Sequence, residues 1–501
     1  RPARSAPGRP RRFRAGRGVG TFADLSVPLP SPSPVCPMKL TFWGAARTVT
    51  GSLHLVETDR GQKVLLDCGL FQGRRELARE LNLQFPVDPA EVDAVVLSHA
   101  HMDHAGLLPR LWAEGFRGPI YCTHATRDLC ALMLLDSGHI QEDDAEFVNR
   151  RLKKKGKPPV EPLYTQDDAE RVMAHFVGLA YGHPFRVVEG VEAVFRDAGH
   201  ILGSATVVLS VDEGAGKRLG FTGDVGNPGR PILRDPEAMD PCDWLITEST
   251  YGGKTHEPFS EAKARLAEVV SRTAARGGKV IVPAFAVGRT QELVHDLDQL
   301  WNDGALPPIP IFVDSPLAVN VTGVYRSHPE CYDRELLDYI LTDPDPFGFE
   351  RLEYVREAAR SKALNAMRVP MVIISASGMA EAGRVLHHLR NNVEDPKATV
   401  LIVGFMAEHT LGRKLVERHR TVNIFGEPHQ LRAEVVVMNT FSAHADEPGL
   451  LDFIGKLDRE RLKSVFLVHG EPEPQAALTR ALNERGFADV RAPERGTTVE
   501  L

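Results

Sequence analysis

The sequence predicts an α/β protein in which one α/β domain is inserted into another. Three observations carry this. From residue 39 to about 252 the chain is rich in short apolar strands with glycine-containing turns. From about residue 253 it changes to a regular alternation of apolar strands and helical segments, the pattern of a parallel sheet covered on both faces. After residue 441 it returns to strand ends bearing histidine and carboxylate, as in the first part. A length of 501 residues allows two to three domains.

Residues 1–37 carry Arg, Pro, Gly and Ser, with no acidic residue before Asp24 and no periodicity. This segment reads as a disordered basic extension. It fits a nucleic-acid arm, a transit peptide, or a stretch translated ahead of Met38, and the last reading suits a first strand that begins at once after Met38.

Strands are expected at 39–43, 52–58 and 63–67, the third closed by Asp67-Cys68-Gly69. The run 93–97 reads as a buried strand, and 106–112 has the apolar spacing of a helix start. Between them lies Ser98-His99-Ala100-His101-Met102-Asp103-His104, a loop on which a rigid sheet can aim side chains. Imidazole nitrogens and a carboxylate suit zinc or a similar borderline metal. His99 and His101 can hold one ion from a common loop, while Asp103 and His104 point elsewhere and can hold a second.

A long helix is expected at 125–149, followed by the basic run 150–157, which reads as a solvated face, with RNA contact as the lesser alternative. Strands resume at 185–188 and 193–197. His200 then sits in Ala198-Gly199-His200-Ile201-Leu202-Gly203, and Asp224 in Thr222-Gly223-Asp224-Val225-Gly226. Singly, each reads as a turn.

In the second half, helices are expected at 260–276, 287–301 and 380–390, with strands at 279–283, 310–314, 371–375 and 399–404. The chain closes with Phe441-Ser442-Ala443-His444-Ala445-Asp446, Val465-Phe466-Leu467-Val468-His469-Gly470-Glu471, a helix at 474–485 and a strand at 497–501. The six cysteines form no C-x-x-C pair, so neither a disulfide framework nor a zinc finger is indicated, and a reducing cytoplasm fits. A net charge of −7 excludes a globally basic nucleic-acid binder, so any positive field must be local. No apolar run approaches the ~20 residues that span a bilayer.

His-x-His-x-Asp-His after an apolar strand resembles the signature of the metallo-β-lactamase superfamily. An α/β insertion, with Glu248 in Thr-Glu-Ser-Thr-Tyr-Gly, His444 in Phe-Ser-Ala-His and His469 in Val-His-Gly-Glu, resembles its β-CASP nucleases. Residues 283–292 and 375–379 also look like that family. The nearest likeness is to the branch with the eukaryotic pre-mRNA 3′-end endonuclease and its compact prokaryotic relatives. The likeness covers residues 38–501. It implies a metallo-β-lactamase αββα sandwich (38–252 and 442–501) with an inserted Rossmann-like β-CASP domain (253–441). His469 stands where the DNA-repair members carry an apolar residue. The chain ends about thirty residues after His469, so the extra domain of ribonuclease J relatives is not expected.

The resemblance implies two zinc ions per chain. His99, His101 and His200 would hold one, Asp103, His104 and His469 the other, with Asp224 bridging. Asp67 would support the metal loop by hydrogen bonds. A zinc-bridging hydroxide would attack the phosphodiester of single-stranded RNA, with Asp103, Glu248 and His444 in the catalytic set. His444, oriented by Glu248, is the candidate acid for the leaving oxygen; the plainer alternative is a buried histidine bonded to a backbone carbonyl. Arg289, near a helix start, is a candidate phosphate contact, or else a surface salt bridge. Ser377 and Gly378 are candidates to offer backbone N–H groups. The mode, endonucleolytic or 5′-to-3′ exonucleolytic, stays open, as does a homodimer. A hydrolase of small esters or thioesters leaves the insertion unexplained. A non-catalytic scaffold paralogue would lose ligand positions that are all filled here.

Overall fold

The structure, a computed structural model, describes residues 38–501 apart from 74, 212–215, 257–260, 405, 407–408 and 439–441. The extension 1–37, Ser260 at the expected start of a helix, and Phe441 lie outside the described residues.

Two seven-stranded sheets stack face to face. The first runs, in spatial order, Thr497–Glu500, Lys39–Phe42, His54–Glu57, Lys63–Leu66, Ala94–Val96, Ile120–Thr123 and Phe176–Leu179. The second runs Val490–Arg491, Ser464–Val468, Trp244–Glu248, Lys217–Phe221, Ala205–Val211, Val191–Asp197 and Phe185–Val188.

The two-residue period of a strand explains the layers. Val64, Leu66, Ala94 and Val96 of the first sheet meet Val207, Leu209, Trp244, Ile246, Phe466 and Val468 of the second in one buried cluster. The intervening Leu65 and Val95 face the other way, onto a cluster with Leu129 of helix His124–Lys154. Leu245, Val465 and Leu467 likewise face outward, onto Leu450 and Ile454 of helix Glu447–Gly455 and Leu478 of helix Pro472–Glu484. The result is helix, sheet, sheet, helix.

A third sheet of six strands lies wholly within the insertion, in the order Leu352–Tyr354, Ile311–Val313, Met371–Ser375, Lys279–Pro283, Thr399–Ile402 and Glu434–Val437. Its neighbours pair in parallel throughout. Alternate residues serve opposite faces. Val280, Val282, Ile311 and Val372 pack on one side, Ile281, Phe312 and Ile373 on the other. Both faces are therefore covered, which is why these strands are almost continuously apolar.

Several expected boundaries move, three of them at helix ends with a clear cause. The long helix runs from His124 to Lys154, so it takes in most of the basic run instead of stopping before it. Lys and Arg are good helix formers, and cations suit the negative end of the helix dipole. The helix expected from 287 begins at Arg289, after Gly288 at φ 76°. The helix expected from 380 begins at Arg384, because the Ser377 hydroxyl accepts from the Glu381 and Ala382 N–H groups at 3.2 and 3.4 Å and holds 377–383 in a turn.

Phe466 is 1% exposed, and its ring centroid lies 5.1 Å from that of Phe42 across the sandwich. Phe466→Ala should cost about 3–5 kcal/mol of unfolding free energy, the range for large aromatic truncations in a core. Urea denaturation measures this, and a loss below ~1 kcal/mol would contradict the packing described.

Candidate metal centre

The site forms where strand ends of both sheets meet. Asp67 follows Lys63–Leu66, the 98–104 loop follows Ala94–Val96, and Asp224 follows Lys217–Phe221. Glu248 ends its strand and His469 follows Ser464–Val468. The pairs among these strands are parallel within each sheet, so their carboxyl ends share one edge. His200 lies in the turn between Val191–Asp197 and Ala205–Val211, and the latter pairs with the Asp224 strand.

The histidine loop is clasped from behind. Asp67, fully buried, accepts from the Ser98 N–H at 2.8 Å, the Ser98 and Ser52 hydroxyls at 3.0 Å each, and His104 Nδ1 at 2.6 Å. The backbone of 67–70 pairs with the loop, Cys68 N–H to the His104 carbonyl and Leu70 N–H to the Met102 carbonyl, both at 2.8 Å. A Cβ at position 69 would lie 1.7 Å from the Asp103 carbonyl oxygen, so the residue after Asp67-Cys68 must be glycine. A Cβ at 226 would lie 1.9 Å from the Gly199 carbonyl oxygen, and the Gly226 N–H donates to the Ala198 carbonyl at 2.7 Å. That contact ties the Asp224 loop to the His200 loop.

Two ligand sets result. His99, His101, His200 and Asp224 form one group, and Asp103, His104 and His469 another. In the first, His99 Nε2 and His200 Nε2 lie 3.1 and 3.2 Å from His101 Nδ1. Asp224 Oδ2 lies 3.5 and 3.4 Å from His99 Nε2 and His200 Nε2. Its other oxygen, Oδ1, faces the second set, 3.4 Å from His104 Nε2 and 3.6 Å from His469 Nδ1. His469 Nε2 lies 3.5 Å from Asp103 Oδ2. A tetrahedral zinc with ligands at ~2.05 Å places neighbouring ligand atoms about 3.3 Å apart, so the spacings among His99, His101, His200 and Asp224, and those of His104 Nε2 from Asp224 and His469 Nε2 from Asp103, fit a cation at each centre.

The electrostatics agree. Burial, then the His104 imidazole, hold His99 well below its usual pKa, and burial, then His444, do the same for His200. Burial pushes His101 down to about 4. These rings are neutral, as metal ligands must be. Burial opposes the Asp224 charge, but the His104, His469 and His444 rings outweigh it and hold the carboxyl well below its usual range. His104 Nε2 and Asp224 Oδ1 are buried without a hydrogen bond. Buried polar atoms in that condition are costly, and a shared cation satisfies both.

Beside the sets, His444 Nδ1 lies 3.2 and 3.1 Å from the two Glu248 oxygens, and Glu248 Oε1 also accepts the Val225 N–H at 2.7 Å. Glu248 is fully buried, whereas the His444 side chain is 21% exposed. Asp224, Glu248, His444 and His469 are close enough to form a third, overlapping group. The Glu248 oxygens, however, are already taken by His444 Nδ1 and the Val225 N–H.

Arg289 is buried and ion-paired with Glu292, which also receives Arg230. Its pair is thus not the surface bridge named as the alternative. The Ser377 N–H is spent on the Ala382 carbonyl at 3.3 Å, so the backbone donor expected at Ser377 is already used. Gly378 lies under Phe285, whose ring a Cβ there would meet at 2.7 Å. Other neighbours had no prior signal. Thr250 Oγ1 lies 3.0 Å from both His469 Nδ1 and the His469 carbonyl, and His256 Nε2 lies 3.1 Å from the His444 carbonyl. Thr250 sits inside the Glu248 motif, and only its position next to that motif could have drawn attention to it.

With this geometry in hand, comparison with known proteins gives a consistent picture. The metallo-beta-lactamase superfamily model matches residues 47–284, the Beta-Casp domain 290–415, and the Zn-dependent metallo-hydrolase RNA specificity domain 428–493. Ribonuclease TTHA0252 of Thermus thermophilus is 39% identical over 450 residues, covering 90% of this chain and 97% of that protein. An RNase J-like protein of Methanocaldococcus jannaschii is 32% identical, covering 92% and 99%. Transcription termination factor FttA of Pyrococcus abyssi is 32% identical, covering 93% and 71%. A solved structure of a protein of unknown function from Enterococcus faecalis V583 overlays with TM-score 0.50 and 12% identity, over 93% of this chain and 100% of that one, and shares the fold.

Asp67→Asn should weaken zinc affinity about 10–100-fold, the usual effect of losing a partner that orients a metal-binding imidazole. Competition with a zinc-binding dye measures it. Unchanged affinity in a folded variant would contradict the support described.

Proposed function

This chain belongs to the β-CASP family of the metallo-β-lactamase superfamily, and we propose that it is a zinc-dependent ribonuclease hydrolysing phosphodiester bonds of single-stranded RNA. The observation that carries this reading is the pair of ligand sets with the Asp224 carboxylate facing both, and the His444–Glu248 pair at their side. The RNA-specificity model over 428–493 and relatives named as ribonucleases support RNA as the substrate class. Every ligand position is filled, which disfavours a non-catalytic paralogue. The limits 38–252, 253–441 and 442–501 for sandwich and insertion belong to the same reading, as do a cytoplasmic location and a homodimer. The thiols of Cys68, Cys122, Cys130, Cys242 and Cys331 are free and buried, which suits a reducing compartment. No described helix is long and apolar enough to cross a membrane.

Two zinc ions, when bound, supply an activated water nucleophile and neutralise phosphate charge. In this reading His99, His101 and His200 would hold one and Asp103, His104 and His469 the other, with the Asp224 carboxylate facing both sets. Asp67 accepts a hydrogen bond from His104 Nδ1–H, which leaves Nε2 as the atom that would meet a metal. Thr250 Oγ1 donates to the His469 carbonyl and accepts from His469 Nδ1–H, leaving Nε2 turned to the Asp103 side.

His444 is the acid. Its Nδ1–H donates to Glu248, so Nε2 is the atom that carries a proton to the leaving 5′-oxygen. Burial lowers its pKa, but Glu248 and Asp224 outweigh this and push it up to about 9. Before metal binds, the two carboxylates thus favour the protonated ring. On the substrate side, Arg289 and the Gly378 N–H remain as phosphate contacts.

The role of His444 has a specific signature. A ribose oxygen needs a proton to leave, and a nitrophenolate does not. His444→Ala should keep both zincs and lose on the order of 10²–10⁴-fold in RNA cleavage. It should lose far less against a nitrophenyl phosphodiester. If the variant sheds zinc, or fails equally on both substrates, His444 is a ligand or a structural residue.

The pH dependence follows from the same group. Its raised pKa means the proton is present below about 9 and lost as pH rises through that value. Bound dications shift the loss to lower pH. The rate of RNA cleavage should fall on that alkaline limb, and Glu248→Gln should move the limb to lower pH. An unmoved limb would assign it to another group.

A further inference from the structure

Helix His124–Lys154 links the metal centre to a distant, strongly charged surface. At its start, Thr123 and Thr126 hydroxyls donate to the Gly203 carbonyl at 2.7 and 2.8 Å, in the turn that carries His200. At its end, Arg150, Arg151, Lys153, Lys154, Lys155 and Lys157 are all exposed. Among the described residues none of these six cations has a carboxylate at ion-pair distance. Four carboxylates, Glu142, Asp143, Asp144 and Glu146, lie one to two turns earlier on the same helix; Glu142 accepts from the Gln166 amide at 2.5 Å and Asp143 lies 3.6 Å from His139.

The end is also built, not frayed. Asn149 clamps the returning chain, its Nδ2 donating to the Val160 carbonyl at 2.9 Å and its Oδ1 accepting the Val160 N–H at 2.7 Å. One turn before the cations, Phe147 is 42% exposed, with the Arg151 guanidinium 4.4 Å from its ring centroid. A few cations near a helix terminus are explained by the helix dipole. Six in eight residues, beside an exposed aromatic and on a chain of net charge −7, are not. Positive charge for phosphates together with an aromatic face for bases is the combination that holds single strands.

We propose that this helix end is a second RNA-binding site, remote from the metal centre, which anchors the phosphates of long single-stranded RNA. The proposal rests on the ribonuclease reading for its choice of RNA as the polyanion. The helix of 31 residues rises ~1.5 Å per residue, so the two sites are roughly 45 Å apart along it. At the ~3.4 Å per nucleotide of a stacked strand, about 13 nucleotides bridge them. A stacked strand shorter than that does not reach both.

The test compares zinc-loaded wild-type protein with the triple variant K153E/K154E/K155E and with the triple Lys→Arg variant at the same positions. Fluorescence anisotropy reads binding of phosphorothioate RNAs of about 6 and about 30 nucleotides, below and above the bridging length. The charge-reversed variant should bind the long RNA on the order of tenfold more weakly, with a log–log salt slope shallower by about 2, because each single-strand phosphate contact contributes ~0.7. It should bind and cleave the short RNA like wild type, and the arginine variant should retain long-RNA affinity. Unchanged long-RNA affinity overturns the proposal, and so does an equal loss at both lengths. Cleavage of the short RNA by wild type separates the two claims: its absence defeats the ribonuclease reading, while the length-dependent binding still judges the helix end.

Discussion

Asp224 is 2% exposed, yet four imidazoles of the two ligand sets lie within 3.6 Å of its oxygens. A carboxylate taken out of water carries a desolvation cost of several kcal/mol that only compensating positive charge offsets. The surrounding rings are themselves buried: burial holds His99, His101 and His200 below their usual pKa, while at His104 burial is outweighed by Asp224 and Asp67, which hold it above. The charge is balanced when cations sit between the carboxylate and the rings. The rest of the site is arranged around that constraint. Asp67 fixes the His104 ring from behind, the Gly226–Ala198 contact sets the His200 loop against the Asp224 loop, and Thr250 orients His469.

The same carboxylate also shapes the acid. His444 lies 3.8 Å from Asp224 and closer to Glu248, and these two anions keep a proton on a ring that burial alone would strip. One anion thus gathers the metal ligands on one side and helps to charge the proton donor on the other. Arg230 adds a link of a different kind. It reaches the Ser442 carbonyl, two residues before His444, and Glu292 on the first turn of an insertion helix, so the acid's loop is tied to the inserted domain.

Much of this was legible in the sequence because the physics is local. The continuous apolar runs at 63–67, 93–97 and 279–283 mark buried strands directly, though not which face each side chain serves, and the 98–104 cluster places three imidazoles and a carboxylate within six residues. His200, Asp224, Glu248, His444 and His469 were legible only through motif resemblance, since each alone is a common turn or core residue. What stayed hidden depends on contacts distant in sequence. Arg230 and Glu292 are 62 positions apart, and Thr250 and His469 are 219 apart. The late start of the helix at Arg384 was hidden for a similar reason: Ala380-Glu381-Ala382 favours a helix, but the Ser377 hydroxyl captures the N–H groups a helix would need.

The account stands on two cations that share Asp224 and act together on RNA. The most direct measurement is a zinc titration of chelator-stripped protein, following bound zinc and cleavage of a single-stranded RNA and its matched DNA in the same samples. The account expects cleavage of the RNA to rise with the second equivalent of zinc, little cleavage of the DNA, and no such rise in Asp224→Ala. Full RNA cleavage without zinc, or saturation at one equivalent, would contradict it.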